Sequence, residues 1–144
     1  MNAFQLLGGS GMNGSLGLGD EDNRTTPTLV ARAVFDGEAV LMVACGEEHT
    51  AAVTEGGGVF TFGTGVDGQL GHGTNHMTIV TGRKEVFTPQ PTPRVVQALM
   101  GPTVCKIAAG TNHSLAVDEE GGAARREHHR RIPPAVADGE ARHK

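Results

Sequence analysis

Two histidines, two glycine runs and two Cys/His spacings are the features of this 144-residue chain that could do chemistry. Gly9-Ser-Gly11-Met-Asn-Gly14 and Gly63-Thr-Gly65-Val-Asp-Gly68 both spell G-x-G-x-x-G, with Asp36 and Glu85 downstream near the offset of a ribose-binding acid. A dinucleotide site also needs a helix opening at the third glycine, so that free N–H groups meet the pyrophosphate. The next residues are instead Ser-Leu-Gly-Leu-Gly and Gln-Leu-Gly-His-Gly, which will not start a helix. His49 and His113 each stand three residues after a glycine, Gly46 and Gly110. Spacing places no serine or cysteine nucleophile with an orienting acid beside either one. Cys45-x-x-x-His49 and His72-x-x-x-His76 have ligand spacing, but neither supplies the four ligands of a structural zinc site. His128-His129 is an adventitious metal binder at best. The chain therefore reads as a non-enzyme with no catalytic residue, no cofactor and no metal.

The residues gain meaning from a repeat. Gly9 to Gly19 lies over Gly63 to Gly73 at an offset of 54 with no gap, and six of eleven positions are identical. The shared positions are Gly9, Gly11, Gly14, Leu16, Gly17 and Gly19 against Gly63, Gly65, Gly68, Leu70, Gly71 and Gly73. Val43 to Val53 then lies over Ile107 to Val117 at an offset of 64, pairing Gly46 with Gly110 and His49 with His113. The second copy carries an insertion of about twelve residues around Asn75–Pro91, which belongs in a loop. A glycine run that recurs in register is cheaper as a turn, where glycine supplies positive φ, than as a phosphate loop. A histidine that recurs in register reads as structural, its ring bonded to a neighbouring backbone or turn.

Between the glycines lie short apolar segments. Val40–Cys45, Thr50–Thr54 and Gly58–Phe62 read as strands, with Thr54-Glu-Gly-Gly-Gly58 as a hairpin turn. Pro93–Val96, Val104–Ala108 and His113–Val117 continue the series. Cys45 and Cys105 read as small buried residues in a reducing compartment. The unit is thus about four short antiparallel strands, too small to stand alone, and the expected architecture is an all-β propeller or solenoid.

Composition closes off other classes. Glycine is 22 of 144 residues with no period of three, which excludes collagen, and no apolar run is long enough to span a membrane. The net charge of −4 divides into −7 over residues 1–124 and +3 over residues 125–144. An acidic body does not grip nucleic acid over a broad face, so any such contact is weak and confined to the tail Arg125-Arg126-Glu127-His128-His129-Arg130-Arg131. That tail, with few β-branched residues, is expected to be disordered.

The run Val43-Ala-Cys-Gly-Glu-Glu-His-Thr-Ala-Ala-Val53, then Gly58-Val-Phe-Thr-Phe-Gly63, then Gly65-Val-Asp-Gly-Gln-Leu-Gly-His-Gly73, then Thr92-Pro-Arg-Val95, resembles the regulator of chromosome condensation repeat. That family forms seven-bladed β-propellers. The resemblance covers about residues 8–122 and implies domains at 1–122 and 123–144. The first holds one complete blade at 40–96 with part-blades on either side, and the second is the basic tail. Phe62 stands where the family usually has Trp or Tyr, and Gly8 holds that place in the upstream copy. After Gly122 comes Ala-Ala-Arg125 instead of an apolar strand, so the match stops mid-blade. Two copies cannot close a ring of about seven, and the chain reads as a fragment or as a reading frame that departs from the family after Gly122.

The resemblance implies a protein-interaction module, similar to exchange factors for a Ran-type small GTPase and to the propellers of ubiquitin ligases and kinases. Exchange would require the full propeller. Candidate contacts are the loop residues Asp20, Glu21, Asp22, Glu47 and Glu48 and the insertion His76–Gln90. The resemblance also implies an intracellular setting, cytoplasmic or nuclear, without a membrane. The absence of tryptophan removes the ultraviolet-B-sensing role of plant relatives. Two alternatives stand beside this reading, a nucleotide-binding protein or enzyme using the G-x-G-x-x-G loops, and a non-functional truncated product.

Overall fold

A computed structural model of the chain describes residues 6–73, 77–80, 82, 84–101, 103–119, 123–127 and 130–132. Short β-branched segments bounded by glycine turns set its character, and no α-helix occurs among the described residues. Three antiparallel sheets succeed one another along the chain. The first pairs β1 (Leu6–Gly9) with β2 (Arg24–Leu29). The second has the order β3-β4-β5-β8, from β3 (Val40–Cys45), β4 (His49–Thr54), β5 (Val59–Gly63) and β8 (Gln90–Val95). Between β5 and β8 a separate hairpin of β6 (Met77–Val80) and β7 (Lys84–Phe87) occupies the insertion. The third sheet runs β12-β11-β10-β9, from β9 (Val104–Ala109), β10 (His113–Asp118), β11 (Ala123–Glu127) and β12 (Arg130–Ile132). The architecture is all-β, an open series of small sheets that does not close on itself.

The middle sheet is apolar on both faces because it is covered on both. Every residue of β4 and β5 is buried, so the usual polar alternation of a half-exposed strand is missing. Alternation instead divides the side chains between two cores. Ala52, Phe60 and Phe62 join Val30, Phe35 and Val40 on the side of β1 and β2. Val53 and Val59 join Val96, Leu99, Val104 and Ala116 on the side of β9 and β10. Phe35 meets Phe60 edge to face, with centroids 5.4 Å apart at 83°, a favoured aromatic geometry. Sheet-to-sheet packing therefore supplies the burial that four short strands cannot supply alone.

Of the segment expected as a basic tail, Ala123–Glu127 and Arg130–Ile132 are described; the first is a strand paired with β10 and the second a strand paired with the first. Residues 128–129 and 133–144 lie outside the described residues. The register of β11 copies that of β5. Val53↔Val59, Ala52↔Phe60 and His49↔Gly63 in the middle sheet become Val117↔Ala123, Ala116↔Ala124 and His113↔Glu127 in the third. Backbone pairing depends little on side-chain type, so an open edge on β10 accepts a strand of unfavourable composition. The expectation of buried cysteines is corrected. Cys45 and Cys105 are both exposed, because they sit on β3 and β9, the outermost strands of their sheets.

Candidate functional site

The glycine runs form turns with their amides already committed. Gly14 N–H donates to Gly11 O at 2.9 Å, Gly17 N–H to Gly14 O at 3.0 Å, and Gly19 N–H to Pro91 O at 2.9 Å. In the second run Gly68 N–H donates to Gly65 O at 2.9 Å and Gly71 N–H to Gly68 O at 3.2 Å. Gly9, Gly14, Gly17 and Gly19 all have positive φ, and so do Gly63, Gly68, Gly71 and Gly73, their partners 54 residues on. These donors are spent within the turns and on β8, so they do not form the open phosphate cradle of a dinucleotide loop.

The histidine turns are equally repetitive. Gly46 N–H donates to His49 O at 2.8 Å, and Gly110 N–H to His113 O at 2.9 Å. A side chain on Gly46 would collide with its own repeat's His49 ring and stand 2.5 Å from the Gly110 carbonyl oxygen. That approach fixes glycine there. His49 is 1% exposed and its Nε2 lies 2.9 Å from Ser114 Oγ, while Ser114 Oγ–H donates to Gln69 O at 2.9 Å. A serine has one hydroxyl proton, and a carbonyl can only accept. The network therefore assigns the proton to His49 Nε2, which donates to Ser114, leaving Nδ1 as a buried acceptor without a partner. An imidazole in that tautomer cannot take the serine proton, and no carboxylate among the described residues orients it. The contact is a lock between sheets, not a nucleophile and base.

Burial pushes the His49 imidazole below its ordinary value. The His113 backbone opposes this, and the charge on the His113 ring adds to the depression. A group depressed on folding binds fewer protons folded than unfolded. Its stabilising contribution is complete above the ordinary value of 6.5 and is lost as pH falls through the folded value. Urea unfolding at falling pH, beginning near 7.5, should show a decreasing midpoint below about 6.5. The variant His49→Gln should be less stable at pH 7.5 and show a shallower decline. An identical decline in both proteins would remove His49 from the account.

The candidate loop residues divide. Asp20 pairs with Arg24 at 2.8 Å, and the Arg24 hydrogen bond, followed by one from the Asp22 backbone, holds its carboxyl below the usual value. Glu48 accepts from Asn13 Nδ2, tying the first glycine run to the His49 turn. Glu21, Asp22 and Glu47 are exposed. His72 lies 2.7 Å from Thr61 Oγ1, and His76 is outside the described residues. Among the described residues no three His, Cys, Asp or Glu side chains are grouped to hold a metal ion, and no helix is long and apolar enough to cross a membrane.

The Regulator of chromosome condensation (RCC1) repeat matches residues 7–53 and 56–117, most of the chain. The chain belongs to this family. "Probable E3 ubiquitin-protein ligase HERC3" of Homo sapiens is 44% identical over 110 residues, which are 75% of this chain and 9% of that protein. The crystal structure of human WBSCR16 is 23% identical with a TM-score of 0.70, over 86% of this chain and 28% of that one. That of yeast RCC1 (Prp20) bound to Kap60 is 23% identical with a TM-score of 0.64, over 87% and 29%. The chain thus spans a small part of the length of each, and its sheets are blades of a partial, unclosed β-propeller.

RCC1 repeats place a further set of residues that sequence reasoning passed over. Thr50 Oγ1 donates to Ser15 O at 2.8 Å, and Ser15 and Thr50 precede Gln69 and Ser114 by 54 and 64 residues. The Ser114 to Gln69 bond is the same bond one blade later. The signal was present as a hydroxyl after each histidine, but its partner lies in another repeat. Thr54, fully buried, donates from Oγ1 to Glu38 Oε1 at 2.5 Å, securing the hairpin turn of the complete blade.

Proposed function

We propose that the chain is a protein-interaction module, contacting its partner through the β6–β7 hairpin and the exposed loop acids Glu21, Asp22 and Glu47. The carrying observation is the hairpin itself. It has no counterpart in the first repeat, and among the described residues its two strands pair only with each other. Ile79 and Val86 on it are 71% and 40% exposed. Exposed large apolar side chains on a projecting ribbon favour a protein partner. The turn-bound amides and the donor tautomer of His49 weigh against the nucleotide-binding and enzymatic readings. Protein partnership has company among similar proteins, since the yeast RCC1 structure is that of a complex with Kap60. Within this reading a Ran-type small GTPase is the partner class that the family resemblance supplies, in the cytoplasm or nucleus. Asp20, committed to Arg24, and Glu48, committed to Asn13, serve the loops instead of the partner.

The test is binding of the 144-residue chain to a Ran-type GTPase, GDP-bound and nucleotide-free, by biolayer interferometry, with release of fluorescent GDP monitored alongside. Saturable binding without accelerated release is expected. The pair Ile79→Asp and Val86→Asp should weaken it about tenfold or more with the circular dichroism spectrum unchanged. Absent binding sinks the GTPase as partner, and binding indifferent to the pair sinks the hairpin as the contact.

A further inference from the structure

The first glycine run contains the one Asn-Gly step of the sequence, Asn13-Gly14, and the fold demands both residues. Gly14 has φ +79°, and a methyl group there would stand 2.3 Å from Pro91 Cα. Asn13 has φ +57°, a conformation that favours asparagine and aspartate among residues with a side chain. Its Nδ2 donates to Glu48, across to the His49 turn. At offsets of 54 and 64 the corresponding positions of the next junction hold Asp67 and Asn112. Each junction is thus allotted one amide and one carboxylate, in opposite order.

Asparagine is a thermolabile residue, and it reacts most readily before glycine, whose backbone nitrogen no side chain hinders. That nitrogen attacks the asparagine Cγ. A new N–C bond closes a five-membered succinimide, the Cγ–Nδ2 bond breaks, and ammonia leaves with the proton that the backbone nitrogen gave up. Water then adds to one of the two ring carbonyls, giving aspartate or isoaspartate. The folded turn forbids the first step. With Asn13 ψ at 18°, the Gly14 nitrogen is nearly eclipsed with the nitrogen of Asn13 and turned away from Cγ. Its N–H is donated to Gly11 O at 2.9 Å, and Nδ2, the leaving group, is held by Glu48. Ring closure needs rotation about ψ, and that rotation breaks the Gly14 to Gly11 bond.

We propose that Asn13-Gly14 is a self-modifying site with water as its co-reactant, closed in the folded turn and released when the first glycine run opens from the His49 turn. Conversion removes the Nδ2 donor and sets a second carboxylate against Glu48. Like charges in contact repel, so the side chains that joined the two turns then drive them apart. Isoaspartate also routes the backbone through the side chain, adding an atom to a turn that holds Gly14 tightly against Pro91. Water does not restore the amide, so a converted chain stays loosened at this junction.

Peptide mapping by mass spectrometry, separating asparagine, aspartate and isoaspartate at position 13, follows the reaction in the intact chain. At neutral pH the folded chain should convert at least about tenfold more slowly than the chain in guanidinium chloride, because the open fraction alone reacts. Glu48→Ala, at a half-buried position outside both apolar cores, should raise the folded rate about threefold or more with an unchanged circular dichroism spectrum. Asn13→Asp, the product of conversion, should lower the urea midpoint at neutral pH. Adding Glu48→Gln should restore it, since one amide and one carboxylate then face each other in the order of the next junction. An Asn13 that survives in guanidinium chloride, equal rates folded and unfolded, or indifference to Glu48→Ala overturns the gated site. An Asn13→Asp chain that unfolds at the wild-type midpoint, or that Glu48→Gln does not rescue, overturns the loosening.

Discussion

Phe62→Ala should cost about 3–5 kcal/mol, the range for emptying a fully buried aromatic site. Phe62 is 1% exposed and belongs to the core that joins the first sheet to the complete blade. Its ring also lies over Gly17, where it closes the gap between the first glycine run and β5. Removing it opens a cavity at a junction, which neither sheet can collapse to fill without leaving its own register. Domains of this size have only about 5–15 kcal/mol in total, so the loss takes most of the margin at the low end. The melting transition measured by circular dichroism should move far down or disappear. Phe62→Leu should retain most of the stability, since volume is largely kept. Equal melting temperatures for the alanine variant and the wild type would show that the junction does not carry the fold.

The fold was legible where one residue type answers one backbone demand. Ten glycines in register announced two copies of one turn, and eight of the ten have positive φ. The hairpin over Thr54–Gly58 was equally plain, because its glycines lie between two β-branched runs. Bonds that join repeats were not legible, because their partners are remote. Thr50 and Ser15 are 35 residues apart, His49 and Ser114 are 65. A hydroxyl after each histidine is visible in the sequence, but its acceptor is a backbone carbonyl that carries no residue signature. The cysteines misled for a similar reason. Small size predicts burial in an inner strand, yet β3 and β9 are sheet edges, and one face of each is open. The strand Ala123–Glu127 was not legible either, since composition describes side chains while this strand is held by backbone pairing to β10. The candidate contacts were legible as acidic loops, but the sequence could not say that Asp20 and Glu48 are already occupied.

Gly17→Ala should be strongly destabilising, and its cost can be separated into two causes. Gly17 has φ +71°, and a methyl group there would stand 2.8 Å from the Phe62 ring. The conformation alone costs alanine about 1–2 kcal/mol, and forcing an extra carbon into a packed junction adds about 1–3 kcal/mol. Gly19 provides the control. Its φ is +86°, but a methyl group there would meet nothing within 4 Å, so Gly19→Ala should show the conformational cost alone. The overlap part depends on the ring and the conformational part does not. In a Phe62→Leu background the cost of Gly17→Ala should therefore fall toward that of Gly19→Ala, while Gly19→Ala should cost the same in both backgrounds. Urea midpoints of the single and double variants read this coupling directly. If Gly17→Ala costs the same with either side chain at position 62, the ring and the glycine turn are not in contact. The first glycine run would then be tied to the complete blade by the Thr50 to Ser15, Asn13 to Glu48 and Gly19 to Pro91 bonds.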